Sequence, residues 1–304
     1  MSVRSGRGRS DLGGVASVAQ RLAVLLAAGV APGAAWRFVA ETSGSVVAAA
    51  AVGTHDVSDA LVAASVGMAR QEREAWRGLA VAWTVATDAG APLAGALREY
   101  ARTLRDLADA DRDAQVALAG PRATARIVLA LPFVGLLFGA LLGFGTLEVL
   151  FGSPAGWGML VVGLGLVLLA RVWNRRLVAS AGAREVTPGL ECELMAVAVS
   201  GGGSLDRARR TVESALERYG LEAQPSTTQG VLQLSARAGV PAAELLRAEA
   251  EELRRDARAS AQAAAAALGV RLMLPLGLCV LPAFLVLGVA PMLVAVLSST
   301  VASF

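Results

Sequence analysis

Residues 88–147 read DAGAPLAGALREYARTLRDLADADRDAQVALAGPRATARIVLALPFVGLLFGALLGFGTL, and this stretch decides the fold. Gly90 stops one helix, and Pro92 starts another in the first turn, where a missing N–H costs nothing. Leu93, Leu97, Tyr100, Leu104 and Leu107 then recur at steps of four and three, lining one helical face with apolar groups. From Ile127 to Leu147 no residue is charged. A helix of that length extends about 31 Å, enough to cross a hydrocarbon layer of about 30 Å.

The same plan occurs again downstream. Residues 237–297 read RAGVPAAELLRAEAEELRRDARASAQAAAAALGVRLMLPLGLCVLPAFLVLGVAPMLVAVL. One offset of 149 carries Gly90 onto Gly239, Leu97 onto Leu246, Leu104 onto Leu253, Gly120 onto Gly269 and Arg122 onto Arg271. The chain therefore reads as two related halves, each a helical module followed by an apolar segment.

Two further turns share the pattern: AAGVAPGAA at 27–35 and SGGGSLDRAR at 200–209. Each half thus holds a helix-turn-helix plan used twice. Gly29 and Gly90 are 61 apart, whereas Gly202 and Gly239 are 37 apart, so the first half carries about 24 additional residues. These fall within Ser43 to Met68, with a helix start expected near Asp56 to Asp59. Residues 21–36 could pass for a signal peptide, but their plan reappears at 193–209, where nothing could be cleaved.

Three apolar segments suit a bilayer: 127–147, 155–173 and 272–297. The first two make a hairpin around FGSPAG (151–156), with Arg122 and Arg126 before it and Arg171, Arg175 and Arg176 after it. By the positive-inside rule both large helical regions face the cytoplasm and the short loop faces out. The third segment is longer than the layer is thick, so tilt, or kinks near Pro275, Pro282 and Pro291, is expected. Gly135, Gly139 and Gly143 repeat every four residues, a spacing that lets helix backbones approach closely. They would pack against the chain's own other spans or form a dimer seam.

Composition excludes several chemistries. All 28 basic residues are arginine, so no phosphate loop can gain its lysine and no Schiff base can form. His55, the sole histidine, lies in a polar turn and reads as a solvated residue. Cys192 and Cys279, the only cysteines, make neither a disulfide framework nor a zinc motif. The net charge of +3, with acids and arginines interspersed, gives no case for nucleic acid. Asp106, Asp109, Asp111 and Asp113 read as a solvated face, with a divalent ion as the sharper alternative. Pairs such as Glu251 with Arg255 read as surface support. The apolar segments hold no Asp, Glu or His, which disfavours a conduction pathway. A transporter or permease subunit remains the alternative class, and a membrane enzyme would need a polar constellation that is not seen.

Four passages resemble the type II secretion system F domain family: LLAAGVAP (25–32), WTVATDAGAPLAGAL (83–97), ALAGPRATARIVLALPFVGLLFGALLG (117–143) and ELMAVAVSGGGSLDRA (193–208). The last two are most similar to its TadB and TadC branch. Many platform proteins of this kind show Gly-Glu shortly before the second glycine, where this chain has Ala86 and Thr87. The resemblance implies an all-α membrane protein with two cytoplasmic F-type helical bundles and three transmembrane helices. Its expected parts are a basic tail (1–10), domain 1 (11–121), helix 1 (122–147), an outer loop (148–154), helix 2 (155–173), domain 2 (174–270), helix 3 (271–298) and an outer tail (299–304).

It further implies a bacterial inner-membrane platform with no enzymatic activity and no cofactor or metal. Expected partners are a separate secretion or pilus motor ATPase, pilin or pseudopilin subunits, membrane lipid, and a second copy or a related platform protein. The positions expected to face the motor are the turns around Gly29, Gly90, Gly202 and Gly239, unless these glycines only permit the turn.

Overall fold

A computed structural model of the chain describes residues 11–117, 119–141, 150–181, 188–222 and 225–294. Every element among them is helical. They divide into two compact units: residues 1–111 with 185–259, and residues 112–184 with 260–304.

The first unit draws on both halves of the chain. Helices α1 (Leu12–Ala27), α2 (Pro32–Ser43), α3 (Val46–Ala50), α4 (Val57–Ala64), α5 (Arg70–Asp88) and the start of α6 (Leu93–Ala117) come from the first. The second gives α9 (Leu190–Ser200), α10 (Leu205–Arg218), α11 (Pro225–Ala238) and most of α12 (Ala242–Arg271). Local signals set the ends. Asp11 caps α1 by accepting from the Gly14 N–H, Asp56 caps α4 from Asp59, and Ser204 caps α10 from Arg207. Pro32 opens α2 at its first turn.

One apolar core runs through this unit. It joins Leu22 of α1, Trp36 of α2, Leu79 of α5 and Leu97 and Leu104 of α6 to Met195 of α9, Leu216 of α10 and Leu246 of α12. Leu97, Tyr100 and Leu104 are buried and Leu93 and Leu107 are partly buried, so the apolar face read from α6 is the face that packs. The extra residues of the first half form α3 and α4. Ser58 of α4 donates to the Ala80 carbonyl of α5 at 3.0 Å, and Thr84 donates to Ser58 at 2.8 Å.

The second unit contains α7 (Ala119–Leu141), α8 (Pro154–Ala181) and the helix that continues α12. Two helices among the described residues are long and apolar enough to cross a membrane: Pro154–Leu177 and Ala242–Val294. The expected first span begins in α7, but its residues 142–147, Gly143 included, lie outside the described residues. Large apolar side chains such as Ile127, Phe138, Val161 and Leu278 stand exposed here, as on a surface wetted by lipid. A Cβ built on Gly135 would lie 2.9 Å from the Phe284 ring and 3.6 Å from the Gly288 Cα, and one on Gly163 would lie 2.3 Å from Leu287. These helices therefore meet where side chains are absent.

The prolines leave their mark on the last segment. It turns at Leu272, then passes through π-helical stretches at Leu276–Val280 and Leu285–Val289, separated by Leu281–Phe284. In a regular α-helix Pro282 and Pro291 would clash with the carbonyls four residues earlier, at Leu278 and Leu287, and both of these residues sit in a widened turn.

Tyr100 donates to the Ala75 carbonyl at 2.5 Å across the bare backbone of Gly78, where a Cβ would lie 2.4 Å from its hydroxyl oxygen. Gly78→Ala is expected to cost about 1–3 kcal/mol by overpacking, despite the higher helix propensity of alanine. Tyr100→Phe should cost about 1 kcal/mol for the lost hydrogen bond. Because the hydroxyl is the clashing atom, the double variant should cost less than the two singles together. Unfolding followed by tryptophan fluorescence, with Trp36, Trp76 and Trp83 in this core, measures all three.

Candidate docking turns and the contact between the repeats

Each of the four turns closes on a glycine in the left-handed region, and the φ angles match in pairs. Gly29 and Gly202 both stand at 83°, while Gly90 and Gly239 stand at 65° and 67°. At the first two turns of the chain the backbone closes in the same way: Val30 N–H donates to Leu25 at 3.0 Å, and Ala91 N–H donates to Ala86 at 2.9 Å. All four glycines are exposed, and a Cβ on any of them would meet nothing within 4 Å. Backbone conformation, not crowding, is therefore what requires glycine there.

Two of these turns are neighbours in space. A Cβ on Gly201 would lie 2.1 Å from the Ala89 carbonyl oxygen, so the α9–α10 turn rests on the α5–α6 turn. Val197 lies beside it in a small cluster with Ala86 and Ala96. The structure thus brings the Gly90 and Gly202 turns together.

A buried polar contact joins the repeats below. Glu193 of α9 receives the Arg254 Nη2 of α12 at 2.9 Å, while Arg254 Nη1 donates to Thr103 of α6 and its Nε donates to the Ala250 carbonyl at 3.1 Å. Every nitrogen of this guanidinium is engaged. Burial is the largest influence on Glu193 and pushes its carboxyl above the ordinary 4.5; Arg254 opposes that shift and Glu99 adds to it. Burial likewise pushes the nearby Cys192 thiol up to about 12, with Glu191, Glu249 and Glu193 contributing, so it is inert as a nucleophile.

An offset of 173 carries Gly29 onto Gly202 and Gln20 onto Glu193, and the offset of 149 carries Arg105 onto Arg254. Arg105 donates to Gln20 at 3.3 Å. The two contacts are repeats of one another, exposed in the first half and buried in the second. Sequence reading missed both, although the two offsets together point to them. Around the edge, Arg218 of α10 pairs with Asp56 at 2.9 Å and Asp59 at 2.7 Å, tying the second half to the insertion. Asp56 lies below its ordinary value, chiefly because its carboxylate accepts the Asp59 N–H, with the Arg218 guanidinium assisting against some burial.

The remaining candidates take ordinary places. Asp106 pairs with Arg258 across α6 and α12, and no group of three metal-ligating side chains occurs among the described residues. Arg255 pairs with Glu252 at 3.2 Å, one step nearer than the expected Glu251. His55 is exposed and Cys279 is buried in the first π-helical turn. Gly139 lies on α7.

The architecture defines an all-α scaffold with an internal duplication and helices long enough to span a bilayer. The chain belongs to the family described as Type II secretion system (T2SS), protein F, which matches it over residues 18–140 and 179–290, one segment in each half. It is a family of secretion and pilus platform proteins, structural components and not enzymes. Comparison with curated proteins and with solved structures finds no match.

The buried pair has a signature in pH. A carboxyl whose folded pKa is raised favours folding most below 4.5, and the contribution is lost as pH rises through the folded value. Glu193→Gln should flatten that decline in melting temperature measured from pH 4.5 upward. Arg254→Met should instead cost about 3–5 kcal/mol at neutral pH, because it strands a buried carboxylate, and the deficit should shrink on acidification.

Proposed function

We propose that this chain is the inner-membrane platform of a Tad or type IV pilus, or of a type II secretion machine. In this role it couples a separate cytoplasmic ATPase to pilin assembly or protein export. The family match on both halves carries the reading. The shared core adds support, since helices from both halves pack into one apolar interior, as expected of a single lobe on one side of a bilayer. Arg171, Arg175 and Arg176, all exposed on α8 past its apolar stretch, favour the cytoplasm as that side. The motor would bear on the exposed turns and on the charged helices that follow them, where Arg98 and Arg207 stand exposed after the neighbouring Gly90 and Gly202 turns. Its cycle would move the platform so that pilin subunits leave the lipid and join the filament base.

Co-purification from native membranes tests the coupling. The chain should retain a secretion ATPase, and Arg98→Glu with Arg207→Glu should reduce retention about tenfold at unchanged chain level. A wild-type chain that retains no ATPase, or an isolated chain that hydrolyses nucleotide, would overturn the reading. For sidedness, Val66→Cys and Leu234→Cys, both exposed, should react with an impermeant maleimide only in inverted vesicles. Labelling from opposite faces would refute a common cytoplasmic lobe.

A further inference from the structure

The repeats meet through unlike faces. The first half offers α5 and its turn; the second offers α9 and its turn, with Val197 packed on Ala86 and Ala96 and Gly201 on Ala89. Each half also owns the face that the other used. The counterpart of α9 is α1, where Val24 and Ala28 stand for Val197 and Gly201. The counterpart of α5 and its turn is α11 and the start of α12, where Ser235, Ala238, Val240 and Leu245 stand for Ala86, Ala89, Ala91 and Ala96.

Within one chain these two counterparts are not closed against each other. Val197 is 8% exposed, whereas Val24 is 52% and Val240 is 40% exposed. Ser235 and Leu245 are already covered within the chain, so the open part of the α11–α12 face is Ala238 and Val240. The rims offer one pair of opposite charges, although the exposed Arg237 and Arg247 also flank the α11–α12 turn. Arg21 shares a face with Val24 and Ala28, at spacings of three and four, and Glu244 stands exposed next to Leu245.

We propose that a second copy of this chain covers these faces, α1 of one copy docking on the α11–α12 turn of the other. The contact repeats between chains the packing that already joins the halves within a chain. It is head-to-tail, so an open chain of copies leaves one face of each kind free at its two ends until a ring closes. Ala28 carries a methyl where Gly201 has none, so the docked helices stand further apart than α9 and α5 do. The proposal does not depend on the motor-coupling reading.

Cross-linking of full-length chains in isolated membranes tests it, with Cys192 and Cys279 buried and silent. Differently tagged Val24→Cys and Val240→Cys copies are co-expressed and treated with a short bis-maleimide. A product containing both tags is expected from the mixture, and none from either variant alone. No mixed product overturns the proposal. So does a strong product from one variant alone, which signals a like-to-like contact, and so does capture of Val24→Cys by a different protein. Arg21→Glu should lower the mixed product roughly two- to fivefold, and Glu244→Arg in the partner copy should restore it. Failure of that restoration overturns the docking register.

Discussion

Two helices, each enclosed on every side along its middle, hold the first unit together. Gly78 to Trp83 of α5 are buried without interruption, as are Cys192 to Ala198 of α9. A run of that length covers more than one full turn, so along these runs no face of either helix meets water. One comes from each repeat, and they pack on each other. Neither could be enclosed by its own half alone: α5 needs α9 and α10 over it, and α9 needs α5 beneath it. Exposing a single Val or Leu of such a helix costs about 1.5–3 kcal/mol, so the repeats are bound to fold as one body although the sequence presents them as two.

Duplication explains why the parts are alike, and the contact between them explains why they diverged. The counterpart of enclosed α5 is α11, which carries Gln229, Gln233 and exposed Leu234 where α5 has Ala80, Thr84 and buried Val85. The counterpart of enclosed α9 is α1, amphipathic with Arg21 and Val24 outward. A helix with one covered face keeps an apolar stripe; one covered all round loses its polar face. The insertion that forms α3 and α4 occurs only in the first half. There it covers α5 at Ala80 and offers Asp56 and Asp59 to Arg218.

This separates what was legible in the chain from what was not. Turns are encoded locally, by a glycine that can take positive φ and a helix start just after, so all four could be read directly. The α4 start at Asp56, the apolar face of α6 and the disturbed helix at Pro282 are equally local. The fusion of two modules into one core was not legible as periodicity, because each module carries its own heptad face and looks self-sufficient. Its trace was the opposite of a pattern: the runs GLAVAW at 78–83 and CELMAVA at 192–198 have no polar side to spare beyond Glu193. A carboxylate in such a run looks like surface leakage until its partner on α12, sixty-one residues on, is seen to reach it.

That lone carboxylate bears on specificity more than on strength. Against an apolar pair of the same shape, a buried ion pair gains little or loses. Its effect lies in what it forbids. Slipping α12 along α6 by one residue would turn Arg254 away from Glu193 and Thr103 together, leaving a guanidinium and a carboxylate in the core without partners, besides displacing the fully buried Leu246. The repeat at Gln20 and Arg105 is exposed and neutral on one side, so it imposes no such penalty. The register of the repeats is therefore reinforced where α9 is enclosed, by a contact whose misplacement water cannot mend.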